Sequence, residues 1–186
     1  MDSIAKLLGG PTTTRAARWF LFHPEASATP AMLREKTKST PDQMRKSLRQ
    51  LHGADLIKKR GERYMLNREF PNLAPLKEFL IGELLQTTNL VARFRPAGTL
   101  KVLSAAGLFI ENPDSRTDLL IVGDKMKTSV LQKIVSQLEA DVGTEIRYTA
   151  LSTEEFKYRM AFHDKLIRDI FDYPHVSLFD KVTPTA

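Results

Sequence analysis

Two groups of polar and basic side chains in the first half of the chain are suited to binding nucleic acid. Amide and guanidinium groups hydrogen-bond to base edges, and lysine and arginine charges attract phosphates. The first group begins at a threonine and the second lies on either side of Gly61. The candidate residues are Thr40, Gln43, Arg45, Lys46 and Arg49, followed by Lys58, Lys59, Arg60 and Arg63.

The net charge of the chain is concentrated in this half. Residues 1–92 contain 15 Lys or Arg and 9 Asp or Glu, whereas residues 93–186 contain 13 of each, so the formal charge of +6 belongs to the first half. Basic surfaces bind nucleic acids by releasing counterions. The asymmetry favours a nucleic-acid-binding domain beside a domain with another task, although a generally basic solvated surface would give the same totals.

Composition excludes several other classes of site. The absence of cysteine rules out disulfides, thiolate metal sites and cysteine nucleophiles. The four histidines lack the paired spacing of metal ligands, so we expect no metal site. No apolar run approaches the roughly 18–20 residues of a membrane span, and residues 1–10 lack a signal-peptide layout. We therefore expect a cytoplasmic protein without membrane contact.

Three helices are predicted within the first 55 residues. The first covers residues 13–22 and ends before Pro24, and the second covers residues 30–36 with Thr29 as N-cap. The third begins at Thr40, because a Thr three residues before a Gln forms a capping box. It ends at Gly53 as C-cap. The predicted buried positions are Ala16, Trp19 and Phe20 in the first helix and Met44, Leu48 and Leu51 in the third.

Residues 56–66 have the pattern of a β-hairpin, with two short apolar-containing runs around a charged turn. Three helices followed by a basic hairpin resemble the winged helix-turn-helix family over residues 12–68. The resemblance implies that the helix over residues 40–52 enters the major groove of double-stranded DNA while the hairpin contacts phosphates. Winged helices also bind proteins, so a protein-binding scaffold is an alternative.

Residues 73–91 are predicted to form one helix that is apolar over much of its circumference and must be covered on two sides. We expect it to link two domains and to contribute to a homodimer. Burial within one monomer is the alternative. The apolar positions are Leu76, Phe79, Leu80, Ile81, Leu84 and Leu85.

From residue 99 the pattern changes to strands alternating with helices. Strands are predicted over residues 100–104, 118–123 and 145–151, a helix over 127–140 and two charged helices over 152–171. This order indicates an α/β domain with a mixed sheet, and the whole chain is of α/β (α+β) class.

The run from Asn112 to Gly123 (NPDSRTDLLIVG), with Arg147-Tyr148-Thr149 and Glu154-Glu155-Phe156 downstream, resembles the minimal nucleotidyltransferases of the polymerase-beta type. The similarity covers residues 99–179. Proteins described as transcriptional regulators include fusions of winged-helix and nucleotidyltransferase-like domains. The resemblance implies two carboxylates at i and i+2 of one strand that hold Mg²⁺, and an upstream Gly-Ser turn that approaches the triphosphate.

Both catalytic elements depart from the family pattern here. Arg116 stands at the first carboxylate position and Asp118 at the second, and Ser104-Ala105 occupies the place of the Gly-Ser turn. A guanidinium is positively charged where a divalent cation should bind. We therefore expect no catalytic residues, no enzymatic activity and no cofactor.

The same residues leave alternatives open. Ser104, Arg116 and Asp118 would form a remnant site that binds a small phosphate or nucleotide without turnover. Asp118 would otherwise be structural, capping a turn or pairing with Arg116. A working Mg²⁺-dependent nucleotidyltransferase would need Asp118 together with Asp114, Asp124 or Glu145.

The expected organisation is a winged-helix DNA-binding domain over residues 1–70, a linking helix over 71–97 and an inactive nucleotidyltransferase-like domain over 98–186. The corresponding function is a DNA-binding transcriptional regulator whose second domain dimerises or senses a ligand.

Overall fold

The computed structural model describes residues 3–85, 87–112 and 114–182, without the side chains of residues 3, 4 and 87–89. The chain has a mixed α/β fold and divides into two compact units. The first contains residues 1–84 and 137–145, and the second contains residues 85–136 and 146–186. In the described ranges, every helix is too short or too polar to cross a bilayer.

The first unit combines helices with a small antiparallel sheet of strand order β1-β3-β2. Its elements are α1 (Ser3–Leu7), α2 (Pro11–Phe22), β1 (Ser27–Ala28), α3 (Pro30–Thr37), α4 (Pro41–Gly53), β2 (Ile57–Arg60), β3 (Arg63–Leu66) and α5 (Leu73–Leu84). The three predicted helices and the hairpin are confirmed. Strand β1, only two residues long, was not expected from the sequence.

The predicted starts of the second and third helices are confirmed by their caps, whereas the first helix begins at Pro11, two residues before its predicted start. Thr29 Oγ1 accepts a hydrogen bond from Met32 N at 3.3 Å. At Thr40 the capping box is complete, because Thr40 Oγ1 accepts from Gln43 N at 3.3 Å and Gln43 Oε1 accepts from Thr40 N at 3.0 Å.

The prediction of Gly53 as C-cap is wrong. Helix α4 includes Gly53 and is capped by Ala54, because the left-handed turn that ends it is made by Asp55 at φ 58°.

The core of the first unit contains all six predicted buried positions. Ala16, Trp19 and Phe20 of α2 pack in one cluster with Met44, Leu48 and Leu51 of α4. Ile57 of β2 and Leu66 of β3, which are partners in the strand register, pack in the same cluster. The polar face of α4 is therefore directed away from this core.

The second unit is built on a mixed sheet of strand order β6-β5-β4-β7. Strands β5 and β6 are parallel, and the other two pairs are antiparallel. Its elements are α6 (Thr87–Phe94), β4 (Thr99–Ala105), β5 (Leu119–Asp124), α7 (Thr128–Val142, with residues 137–142 assigned to the first unit), β6 (Tyr148–Leu151), α8 (Thr153–Ala161), α9 (Lys165–Phe171) and β7 (Val176–Asp180). Residues of β4 and β5 form a core with Phe156 of α8 and with Ile167 and Ile170 of α9.

Two sequence predictions in this region need correction, and one strand was missed. The single helix expected over residues 73–91 is two helices, α5 and α6, and residue 86 lies outside the described residues. A new helix begins at Thr87, so the apolar residues between 73 and 91 are divided between two helices. Strand β6 begins at Tyr148, three residues later than predicted, and β7 was not foreseen.

Candidate nucleic-acid interface

The candidate nucleic-acid-binding residues are all exposed and all lie in the first unit. Thr40 caps α4, whose solvent face carries Gln43, Arg45, Lys46 and Arg49. The remaining four lie on the hairpin, with Lys58, Lys59 and Arg60 on β2 and Arg63 on β3.

Two of the hairpin cations are held by contacts within the fold. Arg63 donates from Nε to Ser27 Oγ at 2.7 Å and from Nη2 to Ser27 O at 2.6 Å, so it fastens β1 to the hairpin. Lys58 Nζ lies 2.6 Å from Glu69 Oε2, and this hydrogen bond and charge lower the pKa of Glu69. Sequence reasoning missed both roles, because the partners lie 36 and 11 residues away in the chain.

Other cations of this surface are not neutralised by an acid. In the described part of the chain, Lys46, Arg49 and Arg60 have no ion pair, and Lys59 Nζ lies over the Tyr64 ring at 5.8 Å from its centroid. Arg45 Nη2 lies 3.2 Å from Asp42 Oδ1, but both side chains are largely exposed, so solvent screens this ion pair. These five side chains are available to an anionic partner.

A groove of about 630 Å³ lies between α3, α4 and the hairpin. Arg34, Arg45 and Lys59 line it, together with one acid, Glu62. Arg34 was not among the sequence candidates, because its position beside the hairpin depends on how α3 packs. The groove therefore adds one cation and one opposing carboxylate to the surface.

The three residues of the expected remnant site have different environments in the second unit. Ser104 is fully buried on β4, and its Oγ has no hydrogen-bond partner. Asp118 is 2% exposed. Arg116 is largely exposed and its Nε lies 3.2 Å from Asp169 Oδ2, so the alternative in which Arg116 pairs with Asp118 is wrong.

Arg116 and Asp169 line a polar cavity of about 270 Å³ with Ser115, Lys165 and Tyr173.

The partner of Asp118 is Arg147. The guanidinium donates from Nη2 to Oδ1 at 2.9 Å and from Nε to Oδ2 at 3.1 Å, and this pairing raises the pKa of Arg147. The backbone amides of Leu108 and Arg147 each donate to the same carboxylate at 2.8 Å. Gly107, at φ 49°, leaves the space that Asp118 Oδ1 occupies, because a Cβ there would overlap this oxygen.

These residues do not fit the Mg²⁺ ion that the nucleotidyltransferase resemblance implies. A carboxylate has about four lone-pair sites, and four donors already approach this one. Asp124, at the far end of β5, accepts a hydrogen bond from Thr153 N at 3.2 Å, and hydrogen bonding to Thr153 lowers its pKa. Among the residues that the structure describes, no three His, Asp or Glu side chains come together as a metal site.

The molecule thus presents an exposed cationic surface in the first unit and an internally paired carboxylate in the second. Comparison with models of protein families, with curated proteins and with solved structures finds no match to this chain, so its function has to be argued from its own residues.

Proposed function

We propose that this protein is a transcriptional regulator that binds double-stranded DNA through a winged helix-turn-helix domain over residues 1–70. The element order supports this assignment, since helix, short strand, two helices and a hairpin that pairs with the short strand follow one another. In this proposal α4 is the recognition helix and the β2–β3 hairpin is the wing on the phosphates.

The observation that carries the proposal is the cationic outer face of α4. The inner face of the helix is buried at Met44, Leu48 and Leu51, whereas Lys46 and Arg49 are exposed and without acidic partners in the described part of the chain. A helix of 13 residues is about 20 Å long, and the major groove is wide enough to admit it. Burying such cations against phosphates releases counterions and favours binding.

The second part of the proposal concerns residues 98–186, which we infer to be a nucleotidyltransferase-like domain that has lost catalysis. The mixed four-stranded sheet and the engagement of Asp118 by Arg147 support this inference. The domain would serve dimerisation or the binding of a small phosphate ligand near Arg116. In the first unit, Phe79 on α5 is 48% exposed and would contribute an apolar contact to a homodimer.

The test begins with the purified chain and a random double-stranded DNA pool at about 150 mM salt, followed by sequencing of the bound fraction. We expect one enriched motif, and its affinity should fall steeply with added salt. Arg45→Ala with Arg49→Ala should reduce affinity at least about tenfold.

The matched control is Lys127→Ala with Lys133→Ala, which removes the same charge from exposed positions of the second unit. Equal loss in both double variants would mean that only net charge matters and would reject α4 as the recognition helix. Absence of DNA binding by the unmodified chain would reject the proposed function.

A further inference from the structure

A buried carboxylate that stays ionised needs a positive partner, either a side chain of the fold or a bound cation, because an unpaired charge away from water is strongly unfavourable. Asp118, the residue directly before β5, is such a buried carboxylate, because only 2% of the residue is exposed to solvent. The group that pairs with the Asp118 carboxylate therefore shows whether this position of the second unit is suited to a metal ion or to a side chain.

The neutralising group is a guanidinium with two well-formed hydrogen bonds. Nη2 and Nε of Arg147 lie 2.9 and 3.1 Å from the two oxygens of Asp118, which is the forked geometry that matches a carboxylate. The Arg147 side chain is 54% exposed, so its other edge faces water. An arginine in this position costs less to desolvate than a fully buried one.

The backbone completes the enclosure of the carboxylate. The Leu108 amide donates from the turn over residues 107–110, and the Arg147 amide donates from the residue that precedes β6. Asp118 N in turn donates to Arg147 O at 2.7 Å. One carboxylate therefore ties together the 107–110 turn, the start of β5 and the start of β6.

We propose that the Arg147 guanidinium takes the place of a divalent cation at Asp118 and acts as a permanent internal counter-ion. The ion pair between Arg147 and Asp118 is a property of the structure and does not depend on the proposed function. The statement that the replaced ion would be divalent rests on the nucleotidyltransferase-like part of the proposed function. Arg116, which the sequence places nearest to the carboxylate, does not have this role, because it pairs with Asp169.

The proposal predicts that removing the guanidinium creates a cation site. In Arg147→Ala the carboxylate of Asp118 loses two of its four donors and gains an opening toward solvent. Mn²⁺ is a suitable probe, because it prefers carboxylate and water ligands and its free and bound forms differ in electron paramagnetic resonance.

The experiment compares the full-length chain with Arg147→Ala and with Arg147→Ala/Asp118→Asn. Thermal unfolding and Mn²⁺ binding are followed in MnCl₂ and in KCl of equal ionic strength. We expect the midpoint of Arg147→Ala to fall in KCl and to recover by several degrees in MnCl₂ with one bound ion. The unmodified chain and the double variant should not respond to Mn²⁺.

The matched control is Arg168→Ala, which breaks the ion pair of Arg168 Nε with Asp172 Oδ2 at 3.0 Å at the end of α9. The Asp172 side chain is 54% exposed, so this variant should gain no Mn²⁺ dependence. If Arg147→Ala does not fold, Arg147→Lys keeps a charge without the fork, and we expect a lower midpoint with a smaller gain in Mn²⁺ binding.

Two results would overturn the proposal. One is stabilisation of the unmodified chain by Mn²⁺ that is lost in the single variant Asp118→Asn, which is measured alongside the others, since the guanidinium would then not exclude a cation from Asp118. The other is the absence of any gain in Mn²⁺ binding in the folded Arg147 variant. A midpoint of Arg147→Ala that falls in KCl without recovery in MnCl₂ would leave the internal ion pair and reject the divalent ion, which is the part that rests on the nucleotidyltransferase-like domain. DNA affinity is measured separately and tests the winged-helix part of the proposed function.

Discussion

Arginines and lysines of one hairpin have different tasks in this protein, although the sequence presents them as a uniform basic run. Arg63 bonds to Ser27 and Lys58 to Glu69, whereas Arg60 has no acidic partner among the described residues. Since Arg60 and Arg63 lie opposite each other in the strand register, they form a natural pair for comparison.

We predict that Arg63→Ala and Arg60→Ala separate stability from DNA binding. Arg63→Ala should lower the free energy of unfolding by about 1 kcal/mol, because it removes two hydrogen bonds to β1 at an exposed site. Arg60→Ala should leave stability nearly unchanged and reduce the salt dependence of DNA binding by about one counterion. Denaturant unfolding and fluorescence anisotropy measure the two effects, and identical effects in both variants would contradict the assignment.

A second prediction concerns Glu69. Its pKa is lowered by Lys58, so the pair contributes stability above the ordinary carboxyl pKa of 4.5, and this contribution is lost as the pH falls through the lower value in the folded protein. Glu69→Gln should therefore flatten the pH dependence of unfolding below about pH 5. At neutral pH the same variant frees Lys58 and should bind DNA more tightly; weaker binding would show that Lys58 needs its partner for orientation.

Helices α3 and α4 begin where their caps dictate, but the groove that they form with the hairpin depends on packing. The threonine caps and the prolines that follow them act within three or four residues. The approach of Arg34 to Arg45, Lys59 and Glu62 requires three separate elements to come together. The effect of removing a cation on DNA affinity should therefore depend on whether that cation lines the groove, and not only on the charge that is lost.

The third prediction compares two cations of α3. Arg34 lines the groove, whereas Lys36 is exposed on the same helix outside the groove lining. If DNA phosphates enter the groove, Arg34→Ala should weaken binding several-fold and Lys36→Ala should have little effect. Glu62→Gln should strengthen binding, because it removes the one acid of the groove lining. Equal losses in the two α3 variants would contradict this prediction.

The division of the chain into two units does not follow the order of the sequence. Residues 137–145, which lie between two strands of the second unit, belong to the first unit. There Asp141 accepts from Arg15 Nε at 2.7 Å, and its carbonyl accepts from the buried Arg18 at 3.2 Å. At Gly143 a Cβ would lie 2.8 Å from Trp19 N, so only glycine allows this approach.

We predict that Asp141→Ala destabilises the first unit by about 2–3 kcal/mol, because it leaves the partly buried Arg15 without its carboxylate. Arg168→Ala, which breaks the exposed ion pair with Asp172, is the control and should cost less than about 1 kcal/mol. Hydrogen exchange should show the loss of protection in α2. A change no larger than that of the control would mean that the Arg15–Asp141 pair contributes little.

The sequence by itself determined the features whose signals are local. The capping box at Thr40 involves atoms three residues apart, and the buried stripe of α4 follows from helical periodicity, so both could be predicted without knowing the chain path. The hairpin around Gly61 and the mixed α/β class followed from the same short-range patterns.

The tertiary structure decided every contact between residues far apart in the chain. Asp118 meets Arg147 across 29 residues, Arg63 meets Ser27 across 36, and Arg15 meets Asp141 across 126. No local pattern selects among the chain's 28 Lys and Arg residues as partners for a given carboxylate. Only the packing of strands and helices brings one guanidinium within hydrogen-bonding distance, because these bonds act over about 3 Å.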